Sequence, residues 1–179
     1  MLYVVLALSV PLLWGVFSYN RFVRDRNRVL AGWSDIDVQL KRRHDLIPKL
    51  VDAVRRYGAY ESALLEHVTE LRARSRETRD VNELSALETE LGAGLGKILA
   101  VAEAYPDLKA NRSFLDLQKS LSTVEDAIQF ARRYYNGAVR MLNTRCDSFP
   151  DLIVARVFRF HHADYFELDD HSQRLSPKV

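Results

Sequence analysis

The sequence predicts an all-α protein, with an N-terminal transmembrane helix followed by a four-helix antiparallel bundle. Three observations lead there. Apolar residues recur every three or four positions through most of the 179-residue chain. Seven glycines and five prolines are too few for the turns of an all-β fold. The first twenty residues, MLYVVLALSVPLLWGVFSYN, carry no charged side chain.

A helix over residues 1–19 would rise roughly 28 Å, about the thickness of a bilayer's hydrocarbon core. Arg21, Arg24, Arg26 and Arg28 follow at once, with only Asp25 against them. A cleaved signal peptide carries its positive charge before the apolar run, and here the order is reversed. Residues 1–20 therefore read as a permanent single-pass anchor, with Pro11 tolerated as a kink. The arginines favour contact with anionic lipid. They place the following domain in the cytoplasm and the N-terminus outside.

Residues 21–166 form the expected bundle. Val29, Trp33, Ile36, Leu40, Ile47, Leu50 or Val51, Val54 and Tyr57 step by three and four, with a seven-residue gap at His44. Pro48 lies inside this stripe. A proline removes a backbone donor and crowds the carbonyl four residues back, so a break near 45–48 is expected, with Asp45 capping the restart. The stripe resumes through Leu64, Val68 and Leu71. RARSRETRDVNE, residues 72–83, is polar and reads as a connection. Asp80 and Glu83 are spaced as a capping box and start a helix near 81. Its stripe is Leu84, Leu87, Leu91, Leu95, Ile98, Ala102 and Tyr105, and Pro106 ends it. With Asp107 as its cap, the last long helix follows from Phe114 through Leu142. Residues 151–166 read as a packed tail. Residues 167–179 are polar and loose.

A set of polar residues runs beside these stripes. Asn111, Gln118, Glu125 and Arg132 recur at spacing seven along the last long helix, and Asp37 and Arg43 or His44 flank the stripe of the first helix in a similar way. They are expected to form an interhelical polar seam that sets register. Tyr105, Pro106 and Asp107 form a turn, which doubles as a candidate partner contact. GAGLGK, residues 92–97, lacks the preceding strand of a phosphate loop and reads as close helix packing. Cys146 is the sole cysteine, so no disulfide forms within the chain. His161, His162, Asp164, Glu167, Asp169, Asp170 and His171 contain no pair of histidines four apart and read as a solvated tail. No catalytic residue, cofactor site or metal site is assigned. A net charge of +2 gives no reason to expect nucleic acid, and Arg72, Arg74, Arg76 and Arg79 lack interleaved aromatics.

Two strings carry a family resemblance: GWSDIDVQLKRRHDLIP at residues 32–48 and AEAYPDLKAN at 102–111. With Tyr19-Asn20, Phe114, Leu117-Gln118, Glu125, Ala131-Arg132-Arg133, Tyr135-Asn136 and Phe149-Pro150, the chain resembles the LemA family of membrane-anchored bacterial proteins. The likeness runs from residue 1 to about 166. Leu142 and Asp126 depart from the family's usual residues, both within a helix. The resemblance implies one anchor, a short extracytoplasmic N-terminus, a four-helix bundle and a place in the cell envelope.

The functional reading is a non-enzymatic, membrane-anchored scaffold or adaptor of the bacterial envelope. Its expected partners are the bilayer and unidentified membrane or envelope proteins, and a homo-oligomer is compatible. The alternative is a ligand-binding or enzymatic bundle that uses the interhelical polar seam.

Overall fold

A computed structural model describes residues 2–56 and 62–166, with side chains from residue 9 onward. The described residues form helices α1 (Leu2–Arg56), α2 (Ser62–Glu77), α3 (Val81–Ala102), α4 (Pro106–Lys109), α5 (Arg112–Asp147) and α6 (Asp151–Phe158). No strand occurs among them, so the chain is all-α. Tyr57 and the tail 167–179 lie outside the described residues.

Two expectations for the first helix change. Among the described residues no helix is long and apolar enough to cross a membrane, so a separate transmembrane helix over 1–20 is not supported. The apolar run is instead the opening of α1, and the same helix turns basic at Arg21. The side chains of residues 1–8 lie outside the described ones.

The break at Pro48 is also absent: α1 is continuous through 45–48, and Asp45 caps nothing there. Pro48 has no N–H to give the His44 carbonyl. Arg72 Nε, from α2, donates to that oxygen at 2.6 Å instead. The missing intrahelical bond is thus replaced from a neighbouring helix, and the His44 carbonyl is not left unsatisfied.

The chain divides into two compact units, Met1–Asp37 with Phe130–Tyr165, and Val38–Gln129 with the residues from Phe166 onward. The core of the second unit joins Ile47, Leu50, Val51 and Val54 of α1 to Leu65, Val68 and Leu71 of α2 and to Leu87, Leu91, Leu95 and Ile98 of α3. Leu108, Phe114 and Leu121 complete it. Helices α2 and α3 run antiparallel: Val68 approaches Gly94, and Ser75 meets Glu88. A Cβ on Gly94 would lie 2.7 Å from Val68 Cγ2, so this glycine permits the close approach expected for GAGLGK.

The expected connection over 72–83 is mostly helix. Leu71 and Ser75 are buried and hold α2 to Glu77, leaving residues 78–80 as the link. Asp80 caps α3 as expected, accepting from the N–H groups of Asn82 and Glu83. The Glu83 carboxylate does not close the reciprocal half of a capping box. It accepts from Thr78 Oγ1 at 2.6 Å.

Helix α3 ends at Ala102. Pro106 then opens the single turn α4, where a missing N–H costs nothing. The cap of α5 is not Asp107. It is Asn111, whose Oδ1 accepts from Phe114 N at 3.2 Å, because α4 intervenes and displaces the start of α5 by five residues from Asp107.

In the first unit α1 and α5 run antiparallel, with Gly32 against Tyr135 and Asp25 against Arg145. A Cβ on Gly32 would lie 3.0 Å from the Tyr135 Cα, so the two backbones nearly touch there. Trp33 and Tyr135 pack rings at 5.6 Å. The tail after α6 is held by side chains. Asn143 donates from Nδ2 to the Ala163 carbonyl and accepts from Ala163 N, both at 2.9 Å. Tyr135 Oη donates to the Asp164 carbonyl at 2.8 Å. Arg159 adopts a left-handed backbone (φ 56°) at the end of α6. That turn brings Phe160 back to α1, where it stacks on Phe22 at 4.7 Å.

Candidate functional site

The gap in the α1 stripe between Leu40 and Ile47 is filled by Arg43 and His44, both buried. A helix with charge in its core stripe needs an opposing group, because a desolvated lone guanidinium is strongly unfavourable. Glu88 of α3 supplies it. Its carboxylate is 1 % exposed. One oxygen accepts from Arg43 Nη2, while the other accepts from His44 Nε2 at 2.7 Å and from Ser75 Oγ of α2. Arg43 Nη2 also reaches the Glu88 carbonyl at 3.1 Å. Arg43 Nη1 bonds both oxygens of Glu125 on α5, at 2.8 and 3.1 Å. Arg43 Nε is buried with no hydrogen-bond partner among the described residues. Four helices of the second unit therefore converge on one guanidinium and one carboxylate.

Electrostatics fix the protonation states. Burial alone would raise the pKa of Glu88. The His44 hydrogen bond, the Arg43 charge and the Ser75 hydroxyl outweigh it and lower the value to about 2. Burial works against the charge on Arg43, but Glu88 and Glu125 hold its pKa above the ordinary guanidinium value. An ionised Glu88 only accepts, so His44 must carry its proton on Nε2. Glu88 is held ionised and Arg43 is held charged, each by the other. The chemistry of the cluster is that of a structural tie.

The structure brings together Arg43 and Glu125 of the predicted seam. Gln118 is exposed on α5. Asp37 and Arg132 fall in the first unit. Glu88 was missed, although a signal was present: it stands within the α3 stripe, four after Leu84 and three before Leu91. Of the predicted turn, Pro106 and Asp107 are exposed and Tyr105 is half-buried. Arg72 does not belong to an exposed basic surface, since its Nε is engaged at His44.

A second cluster lies in the first unit. Asp25 is buried and takes Arg145 Nε at 2.7 Å and Arg28 Nη1 at 3.3 Å. Arg145 Nη1 continues to Asp151 at 2.9 Å, and Asp151 accepts from Ser18 Oγ at 2.7 Å. Arg21, Arg24, Arg26 and Arg28 are exposed, and Arg21 lies over the Phe17 ring at 5.4 Å. Arg21, Arg24 and Arg28 line an open groove of about 390 Å³ with Phe17 and Met141. Directly before them Val10, Leu12, Leu13, Val16 and Phe17 are each more than half exposed. Apolar surface thus gives way to cationic surface within one turn of α1.

The sequence model of the LemA family matches residues 32–179. The chain belongs to the LemA family. Among curated relatives it is 27% identical over 153 residues to the Protein LemA of Metamycoplasma hominis, covering 84% of this chain and 69% of that one. It is 26% identical over 178 residues to the Magnetosome protein MamQ 2 of Paramagnetospirillum magneticum, covering 85% of this chain and 65% of the relative. It is 24% identical over 177 residues to the Magnetosome protein MamQ of Magnetospirillum gryphiswaldense, covering 84% of this chain and 65% of the relative. The chain thus spans just under two thirds of the magnetosome relatives' length. The family match begins at Gly32 and so contains the whole Arg43–Glu88 cluster of this LemA-family chain.

Proposed function

We propose that this LemA-family protein is a membrane-tethered scaffold or adaptor of the bacterial cell envelope, without enzymatic activity. The observation that carries the reading is on α1. Its exposed apolar side chains from Val10 to Phe17 meet an arginine collar at Arg21, Arg24, Arg26 and Arg28, and the same helix then enters the core that Arg43 closes. An apolar segment followed by arginines suits a single-pass anchor with the helical domain in the cytoplasm and the N-terminus outside. The arginines sit where anionic headgroups would lie. The names of the MamQ relatives, magnetosome proteins, fit a membrane setting.

The adaptor part of the reading rests on what the polar cluster does. Its guanidinium and carboxylate are committed to each other and buried, which suits a rigid domain presenting its outer surface to other membrane proteins or to a second copy. Tethering raises the effective concentration of such a surface toward partners in the same bilayer. Protease added to spheroplasts tests the arrangement. The helical domain should survive until the membrane is opened with detergent. Digestion in closed spheroplasts would invert the topology.

A further inference from the structure

Helix α6 has two apolar faces, and the fold uses one. Val154 and Ala155 are buried in the first unit. Ile153 and Val157, four apart on the opposite side, are 51 and 67 % exposed, and Phe149, just before the helix, is 81 % exposed. A short helix that is apolar on both sides is covered on both sides in its working state.

The position of α6 says what covers it. Asp151 bonds Ser18 at 2.7 Å, Phe158 meets Tyr19 edge-on at 4.9 Å, and Phe160 stacks on Phe22. These contacts pin α6 to the turn of α1 where apolar surface gives way to arginines. A wholly apolar groove of about 340 Å³, lined by Leu12, Gly15, Val16, Tyr19 and Phe158, joins the two helices. The exposed surface of α6 is therefore continuous with that of the α1 apolar run. Arg156 and Arg159, both exposed, add positive charge within and just after α6.

We propose that α6 is a membrane-interface helix: Phe149, Ile153 and Val157 enter the headgroup and upper acyl region of an anionic bilayer beside α1, with Arg156 and Arg159 at lipid phosphates. Apolar side chains on one face and arginines beside them are what an in-plane interfacial helix needs. This inference rests on the tether reading, since the level of α6 is set by residues 18–22 of α1. The protein then holds the membrane at two points, the apolar opening of α1 and α6 lying in the interface.

The test uses the full chain in vesicles of phosphatidylcholine mixed with phosphatidylglycerol. A Cys146→Ser background receives a single cysteine at Val157 or, separately, at Leu12, each labelled with the NBD fluorophore. The inference expects NBD at 157 to brighten several-fold, shift to the blue and be quenched more by nitroxide on a lipid headgroup than by nitroxide deep in the acyl chain. NBD at 12 should be quenched by the deep nitroxide. Label at 153 should repeat the behaviour of label at 157. If 157 stays water-like while 12 is quenched, the α6 proposal fails and the tether stands. If both stay water-like, the tether reading itself fails. If 157 is shielded yet insensitive to both nitroxide lipids, protein covers α6, as in self-association, and the lipid proposal is overturned.

Discussion

Arg72 Nε stands 2.6 Å from the backbone carbonyl of His44, the oxygen that Pro48 leaves without its helical donor. One side chain from α2 therefore lets a proline sit inside α1 without breaking it. The two residues should be energetically coupled. Arg72→Met should cost about 1–2 kcal/mol by stranding a half-buried carbonyl. In a Pro48→Ala background, where residue 48 again donates, the same change should cost less than half as much. A double-mutant cycle by urea denaturation measures the difference. Equal costs in both backgrounds would mean that Arg72 does not replace the lost bond.

The Arg43–Glu88 pair should show the asymmetry of a buried ion pair. Arg43→Met or Glu88→Ala alone strands a charge and should cost roughly 3–5 kcal/mol. Arg43→Met combined with Glu88→Met removes both charges and should be less destabilised than either single variant. The pH profile carries its own sign. Glu88 has a pKa lowered from its ordinary value of 4.5 to about 2, so its contribution is complete above pH 4.5 and is lost as the pH falls toward 2. The shift corresponds to about 3 kcal/mol. Denaturation midpoints taken between pH 6 and pH 2 should fall more steeply for the natural chain than for Glu88→Gln.

The cap of α5 separates two neighbouring residues. Asn111→Ala should cost about 1 kcal/mol, since its Oδ1 accepts from Phe114 N. Asp107→Ala, at an exposed position within α4, should stay within about 0.5 kcal/mol. Thermal melts of the two variants decide between them.

The glycines of GAGLGK should respond in opposite directions. Gly94→Ala puts a Cβ against Val68 and should cost roughly 1–3 kcal/mol. A Cβ at Gly96 meets nothing within 4 Å, so Gly96→Ala should stabilise by about 0.5–1 kcal/mol. Chemical denaturation of both proteins checks the pair.

What could be read from the chain alone follows from the range of the interactions. The α5 stripe from Phe114 to Leu142 and the Asp80 cap are local patterns, written within a few turns, and both were legible. Pro48 was misread because its compensation comes from Arg72, which belongs to another helix. Arg72 in turn falls in a segment that reads as a loop, because nothing near it in sequence says that it faces inward. The cap at Asn111 is hidden for a smaller reason: Asp and Asn cap equally well, Asp107 comes first after Pro106, and only the extra turn of α4 displaces the start of α5 to Asn111. The Arg43–Glu88 tie was half legible. Arg43 was placed in the seam with Glu125, but Glu88 was passed over, although a carboxylate between Leu84 and Leu91 opposes a stripe gap that holds Arg43 and His44. Two such defects on different helices are a reason to pair them. Ile153 and Val157 stand four apart, but that spacing alone does not say which apolar face of α6 is left exposed, since the answer depends on how Val154 and Ala155 pack.

The central claim is that the apolar opening of α1 tethers this chain to a membrane. Extraction of membranes at alkaline carbonate pH tests it most directly, comparing the natural chain with one carrying Leu12→Arg and Val16→Arg. Each arginine should cost roughly 2.5–3.5 kcal/mol at a bilayer-centre position, while both sites are exposed and outside the helical core. The account predicts that the natural chain stays in the membrane pellet and that the doubly substituted chain, still helical by circular dichroism, is released. Release of the natural chain, or retention of the substituted one, would contradict it.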